Sequence, residues 1–144
     1  MKIIRYDNSY FDDVKQLLNV EEVDPTTGES YNLELFQNEY FTSFLGVEGG
    51  EVVGTVSVSV RLYVLEINHL FVDAKHRGKG VATKLVRKAI RCAEDESCES
   101  VVVNTAENNV AAQKLYENLG FEQAGKVFDY FNNGLYQLFF IKKF

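Results

Sequence analysis

Apolar and polar residues along the chain recur with two periods, and each period predicts one kind of element. Apolar residues spaced three and four apart predict a helix after Ser9 and a longer helix over 80–94. Alternating residues on both sides of Gly49-Gly50 predict a β-hairpin, and the nearly continuous apolar run 63–72 predicts a central strand. These segments alone indicate a chain that mixes helices with a sheet.

The complete set of predicted elements gives the order β-α-α-β-β-β-α-β-α-β-β. The strands are expected at 2–6, 44–47, 51–61, 63–72, 101–103, 121–130 and 135–143, and the helices after Ser9, at 33–41, at 80–94 and from Asn108 to Gly120. This order predicts an α/β fold, with a mixed sheet and helices on both faces. No repeat or linker divides the chain, so residues 1–144 are expected to form a single domain.

The composition is that of an ordinary globular protein and excludes several other classes. Hydrophobic residues make up 46% of the 144 residues and charged residues 25%, with one Pro and 10 Gly. No apolar run reaches the length of a membrane span, and the first residues turn polar too early for a secretory signal. We therefore expect a cytoplasmic protein with no membrane partner. Cys92 and Cys98 lack zinc-binding spacing, so we expect free thiols and no metal.

Charge is distributed unevenly along the chain. Residues 1–60 hold three basic and eleven acidic residues, whereas residues 61–144 hold twelve basic and ten acidic ones. Within the second part, residues 74–91 contain seven basic residues and no acidic one. A nucleic-acid partner is not expected, because the net charge of the chain is −6 and no nucleic-acid-binding motif is present. The basic segment instead suits a smaller phosphate-containing ligand.

The segment DAKHRGKG, residues 73–80, links the predicted central strand to the predicted helix 80–94. A helix N-terminus offers free backbone N–H groups and partial positive charge, and glycine lets phosphate oxygens come close. The segment lacks the spacing of a Walker loop, and Thr83 stands where a dinucleotide fingerprint needs a small residue. The pattern therefore favours a pyrophosphate ligand of another kind.

Two motifs in this part of the chain resemble the GNAT N-acetyltransferase superfamily. The first, Arg-x-x-Gly-x-Ala at the start of the helix, is carried by Arg77, Gly80 and Ala82. The second, Asn-x-x-Ala followed by Leu-Tyr-x-x-x-Gly-Phe, is carried by Asn109, Ala112, Leu115, Tyr116, Gly120 and Phe121. The resemblance is dense over residues 63–125, and it implies a mostly antiparallel central sheet with acetyl-CoA as cosubstrate.

The resemblance also implies a role for each residue that matches these motifs. Acetyl-CoA would lie between the strand ending at Val72 and the strand at 101–105, with the Val72 N–H polarising the thioester carbonyl. The cofactor-binding residues implied are Leu70, Phe71, Val72, Arg77, Gly78, Lys79, Gly80, Val81, Ala82, Thr83 and Asn109. Tyr116 matches the family tyrosine that protonates the departing thiolate.

The general base is left open between two residues of the predicted central strand. Glu66 stands 11 positions before Arg77, where some family members keep a catalytic glutamate. His69 is the alternative, since an imidazole ordinarily has a pKa close to neutral. Asn104 stands where relatives that modify protein N-termini carry an acid, which weakens that assignment.

The acceptor of the acetyl group is expected to be a primary amine that attacks the thioester directly. Acidic residues and aromatic residues are interleaved between positions 21 and 41, which favours a small cationic amine. A protein lysine or an N-terminus is the alternative acceptor, and a catalytically silent acyl-CoA-binding sensor or partner module is the alternative function. The aromatic residues between Phe128 and Phe140 would either line the acceptor site or form a homodimer interface.

Overall fold

The computed structural model describes residues 1–19 and 33–144. The strands are β1 (Lys2–Arg5), β2 (Thr42–Glu48), β3 (Glu51–Arg61), β4 (Val64–Val72), β5 (Ser100–Ala106), β6 (Glu122–Phe128) and β7 (Tyr136–Lys143). The helices are α1 (Phe11–Asn19), α2 (Val81–Asp95) and α3 (Val110–Asn118), with 3-10 turns at Asn8–Tyr10, Leu33–Phe36 and Ala74–His76. No helix in these described ranges has both the length and the apolar character needed to cross a bilayer.

Within the described residues the strands form one sheet in the order β1-β2-β3-β4-β5-β7-β6. Neighbouring strands are antiparallel except for β4 and β5, which run parallel. The parallel pairing runs from Val64 opposite Ser100 to Ile67 opposite Val103 and goes no further. The last residues of β4 and β5 therefore separate, and a split opens in the middle of the sheet. The predicted mixed, mostly antiparallel sheet is confirmed.

Helices cover both faces of the sheet and define a core on each side. The α2 face holds the larger cluster, in which Leu85, Val86 and Ala89 of α2 pack against the sheet without exposed surface. The opposite face holds Val14 and Leu18 of α1, packed with residues of β2, β4 and the 3-10 turn Leu33–Phe36. Helices on both faces follow from the spacing of the apolar residues in α1 and α2.

Three predicted elements differ from the observed ones. Helix 33–41 is replaced, in its described residues, by the turn Leu33–Phe36, because Asn38 Oδ1 accepts the backbone N–H of Tyr40 and competes with helical bonding. The first helix is preceded by a 3-10 turn capped by Asp7, whose carboxylate accepts the Ser9 N–H at 2.8 Å. Strand 101–103 extends to Ser100–Ala106, because β7 pairs along its whole length.

Candidate active site

A cavity of about 610 Å³ lies where the end of β4 meets the N-termini of α2 and α3. Ten of the eleven residues that the motifs implied for cofactor binding line it: Leu70, Phe71, Val72, Arg77, Gly78, Gly80, Val81, Ala82, Thr83 and Asn109. Lys79 is exposed and is not among the lining residues. The structure thus brings together residues from two motifs that are well separated in sequence. We refer to this space as the cofactor cavity.

The end of β4 presents backbone groups to the split. The Asp73 N–H donates to the Val53 carbonyl of β3 at 2.8 Å, so it points away from the split. Successive N–H groups along an extended strand point to opposite sides, so the Val72 N–H points toward the split. Arg77 Nε donates to the Val72 carbonyl at 2.9 Å, and its guanidinium lies 5.7 Å from the centre of the Phe71 ring. Arg77 thereby ties the basic loop to the strand end.

The loop between β4 and α2 needs glycine for its backbone shape. Gly78 and Gly80 have φ values of 74° and 83°, in the left-handed region that other residues rarely adopt. Gly80 is the N-cap of α2 and supplies no capping side chain. The first N–H groups of α2, from Val81 to Thr83, therefore face the cofactor cavity as hydrogen-bond donors with the partial positive charge of a helix N-terminus.

A second cavity, of about 470 Å³, adjoins the first at the split. It is lined by all three residues proposed from the sequence for catalysis, Glu66, His69 and Tyr116. The two cavities share the lining residues Leu70, Asn109 and Ala112, so they meet beside the end of β4. We refer to the second space as the acceptor cavity. A group held in one cavity can meet a group held in the other at this junction.

A β-bulge in β4 sets which side chains face the acceptor cavity. Ser57 of β3 is opposite His69, but the next residue, Val58, is opposite Ile67, so Asn68 is an extra residue in β4. Ile67 packs in the α2 core before the bulge, whereas Phe71 packs in the α1 core after it. The bulge therefore exchanges the two faces of β4 and puts His69 on the α1 side.

His69 is buried on the α1 side of the sheet. Its Nε2 lies 2.8 Å from Thr55 Oγ1, and its ring meets Phe36 edge to face at 5.8 Å. Burial lowers the pKa of His69 to about 3, whereas the sequence argument assumed a value near neutral. His69 is therefore uncharged at neutral pH. Glu66 is exposed on the same strand and supplies a carboxylate to the acceptor cavity.

Tyr116 reaches the acceptor cavity from α3, on the other side of the split. Only 3% of Tyr116 is exposed, and its ring packs against Phe121 at 5.7 Å and Phe140 at 5.9 Å. These contacts fix the ring, while the residue still lines the cavity. Asn109 Oδ1 accepts the Ala112 N–H at 3.1 Å and so caps α3, which orients the helix that carries Tyr116.

The acceptor cavity contains residues that the sequence argument did not select. Tyr130 and Phe131 lie beyond β6 and line the cavity, as do Asn104 of β5 and Gln137 of β7. The sequence alone treats the aromatic residues between Phe128 and Phe140 as one group. The turn between β6 and β7 decides which of them line the cavity and which, like Phe140, are buried. Gln137 resembles any polar residue of an alternating strand, so only the fold identifies it.

The acidic and aromatic segment expected to form the acceptor site contributes little to the described cavity. Of its acidic residues, those between 21 and 29 lie outside the described residues. Glu34 and Glu39 are exposed and do not line the acceptor cavity. Glu66 is thus the one carboxylate among the described residues that line this cavity.

The two cysteines take no part in either cavity. Both Cys92 and Cys98 are free, and burial raises the pKa of both thiols. Neither lines the cofactor cavity or the acceptor cavity. Within residues 1–19 and 33–144, no group of His, Cys, Asp and Glu side chains has an arrangement that could hold a metal ion.

Comparisons with known proteins show the family to which the chain belongs. The acetyltransferase (GNAT) family model matches residues 10–121. Over 141 residues the chain is 31% identical to N-alpha-acetyltransferase 30 of Xenopus laevis, a match that covers 94% of this chain and 51% of the frog protein. The chain belongs to the GNAT acetyltransferase family, as the two motifs predicted. It spans about half the length of that frog relative.

Two solved structures share the fold of this chain over nearly its whole length. The ribosomal-protein-S18-alanine N-acetyltransferase of Escherichia coli superposes with a TM-score of 0.84 at 16% identity, covering 99% of this chain and 92% of that one. A chain of the NatC complex bound to Gag peptide and CoA gives a TM-score of 0.79 at 23% identity, covering 100% of this chain and 99% of that one. At these identities the likeness is one of fold.

Proposed function

We propose that residues 1–144 form a single acetyltransferase domain that transfers an acetyl group from acetyl-CoA to the α-amine of a peptide. The observation that supports this most directly is the junction of two cavities at the split between β4 and β5. One cavity has the backbone donors that a pyrophosphate needs, and the other has a carboxylate and a tyrosine. Two substrates held in these cavities would meet at the end of β4.

The cofactor cavity suits the two parts of acetyl-CoA differently. The N–H groups of Val81 to Thr83 would bind the pyrophosphate, with Gly78 and Gly80 allowing its approach. The pantetheine arm would lie along Leu70 to Val72 like an added strand. The Val72 N–H would then donate to the thioester carbonyl as negative charge develops there.

The reaction proposed is a direct attack of a neutral amine on the thioester carbonyl carbon. Glu66 would accept the proton that the ammonium group must lose before it attacks, and it would do so through ordered water, because it lies six residues before Val72 along β4. The new amide bond forms as the carbon–sulfur bond breaks, and Tyr116 would give its phenolic proton to the departing thiolate. His69 is a weaker candidate for the base, because burial lowers its pKa to about 3. The placement of Cys92 and Cys98 outside both cavities supports transfer without an acetyl-enzyme.

A peptide α-amine fits this site better than the small cationic amine that the acidic segment favoured. An α-amine has a pKa of about 8, so about one molecule in ten is neutral at pH 7, at a cost of about 1.4 kcal/mol. An alkylamine with a pKa of about 10.4 is neutral in about one molecule in 2,500, at a cost of about 4.6 kcal/mol. A cavity whose described lining holds one carboxylate, Glu66, offers little to overcome the larger cost. The frog relative is named as an N-alpha-acetyltransferase, which also supports this acceptor.

Binding of acetyl-CoA is tested first by thermal unfolding. A ligand at 100 times its Kd adds about 2.7 kcal/mol of stability, which raises the unfolding midpoint by several degrees. Gly80→Glu should abolish the shift, because it adds a negative charge at the phosphate-binding helix N-terminus. Gly49→Glu is the matched control, since Gly49 also has a positive φ, of 57°, but lies in the β2–β3 turn. It should keep the shift.

The acceptor is tested with a panel of short peptides, diamines and simple alkylamines. We expect kcat/KM to be highest for a peptide α-amine. Turnover of small amines in preference to every peptide would overturn the choice of acceptor. A thermal shift with acetyl-CoA but no transfer to any amine would instead indicate a binding module without catalysis.

A further inference from the structure

Asn104 and Gln137 form a hydrogen-bonded amide pair in the acceptor cavity. Ala106 of β5 is directly opposite Gln137 of β7, so Asn104 is the diagonal neighbour of Gln137 on the same face of the sheet. Gln137 Nε2 donates to Asn104 Oδ1 at 2.9 Å, and only 2% of Gln137 is exposed. Both residues line the acceptor cavity.

This pair leaves the Gln137 carbonyl, the Asn104 NH₂ group and the second N–H of Gln137 for other partners. Each primary amide has a carbonyl and an NH₂ group, and the bond between the two residues uses one carbonyl and one N–H. The Gln137 carbonyl oxygen and the Asn104 NH₂ group have no other partner among the described residues. Exchanging O and N in both amides gives the same result, one free carbonyl and one free NH₂. Both groups lie beside the cavity, where a ligand could replace the water that they would otherwise bind.

We propose that the Asn104–Gln137 pair binds the first peptide bond of a peptide acceptor, an inference that rests on the proposed function. In an extended peptide the N–H of the first peptide bond and the C=O of the second lie on the same side, and they complement the Gln137 carbonyl and the Asn104 NH₂. Diamines and simple alkylamines have no such groups. The pair therefore selects a peptide over a small amine with the same reacting nitrogen.

The position of the pair relative to the carboxylate suits this arrangement. Glu66 of β4 is opposite Val102 of β5, and Asn104 is two residues further along β5 on the same face. Two residues along a strand span about 6.6 Å. Asn104 is therefore displaced from Glu66 toward the cofactor end of the split, so a peptide whose α-amine lies at the junction of the two cavities would pass Asn104 with its first peptide group and continue toward Glu66.

The test compares one peptide with its ester analogue on two enzymes. The peptide is the best acceptor from the panel above, and the analogue replaces the N–H of its first peptide bond with oxygen. The wild type should prefer the peptide over the ester by about tenfold or more in kcat/KM. Gln137→Met has similar length and no amide, so it should reduce this preference to within about twofold. The ester changes the amine pKa equally for both enzymes, so the ratio of the two preferences isolates the contact.

Two further variants keep the outcome clear. Gln123→Met alters an exposed glutamine of β6 that lines neither cavity, and it should retain the preference of the wild type. If Gln137→Met does not fold, Gln137→Leu gives the same comparison, because it removes the same carbonyl oxygen. The inference would be overturned if the variant kept the preference for the peptide over the ester, or if the wild type showed no such preference. Acetyl transfer to peptides would stand in either case. Absence of transfer to every acceptor would reject the proposed function, and the role of the pair with it.

Discussion

Replacing His69 should remove a pH dependence of stability that the fold imposes. His69 lies on the α1 face of β4, hydrogen-bonded to Thr55 and packed against Phe36. Burial lowers its pKa from 6.5 to about 3, because the imidazolium ion would lose its hydration in the folded protein. In the unfolded chain the same imidazole titrates near 6.5.

The sign of the effect follows from which state binds more protons. Between pH 6.5 and pH 3 the unfolded chain holds a proton on His69 and the folded chain does not, so stability is present above 6.5 and falls as the pH falls. Each pH unit in this window costs about 1.4 kcal/mol. Between pH 8 and pH 5 the expected loss from His69 is about 2 kcal/mol, a large part of a typical stability of about 5–15 kcal/mol.

The measurement is urea unfolding at pH 8, 6.5 and 5 for the wild type and His69→Gln. The variant lacks the titrating imidazole, so between pH 8 and pH 5 its free energy of unfolding should fall by about 2 kcal/mol less than that of the wild type. His76→Gln is the matched control, because the chain has two histidines and His76 pairs with Asp73 on the surface loop. Equal losses in the wild type and His69→Gln, or an NMR titration of the His69 ring near pH 6.5, would refute the argument.

Three other substitutions test packing, catalysis and the basic loop. Gly54→Ala should cost about 1–3 kcal/mol in unfolding free energy, because a Cβ there would lie 3.0 Å from a backbone oxygen of β4 and from a side chain of α2; Gly125→Ala, with nothing within 4 Å, should leave the urea midpoint almost unchanged. Tyr116→Phe should lower kcat by about 10²–10⁴ with an unchanged calorimetric Kd for acetyl-CoA, and unchanged turnover would mean that the ring only packs. Arg77→Met should raise the Kd for acetyl-CoA by about three- to tenfold, because the Val72 carbonyl would lose its hydrogen bond from Arg77 Nε. Lys75→Met, on the same basic loop, should raise this Kd less.

Much of the fold could be predicted from the sequence, because local signals and tertiary packing agree there. Gly49 and Gly50 lie in the turn between β2 and β3, as the hairpin pattern predicts, and the apolar run 63–72 contains the central strand β4. Gly78 and Gly80 have left-handed backbone conformations, which this loop requires and the elements on either side of it do not. At these places one residue type is strongly favoured by backbone geometry, so the pattern carries the information.

Where the sequence argument failed, the deciding interaction was local or lay between distant strands. Helix 33–41 had helical spacing, but the side-chain bond of Asn38 to the Tyr40 N–H stabilises a turn instead. The role of His69 was argued from the usual pKa of imidazole, which burial against Phe36 changes. The position of the Gln137 carbonyl beside Asn104 depends on the register of β5 and β7, which no short sequence pattern specifies. Each of these depends on a neighbour that is chosen by the fold.

The bulge at Asn68 connects the fold to both halves of the site. It follows directly after Ile67, where β4 stops pairing with β5, and a bulge strengthens the local twist of a strand. The same extra residue therefore accompanies the opening of the split and re-aims the side chains beyond it. Ser59 Oγ donates to Asn68 Oδ1 at 2.8 Å and holds the bulged residue against β3. If β4 continued as a regular strand through Asn68 without the bulge, His69 would face α2 and the Val72 N–H would point to β3, so neither the acceptor cavity nor the donor at the strand end would exist in this form.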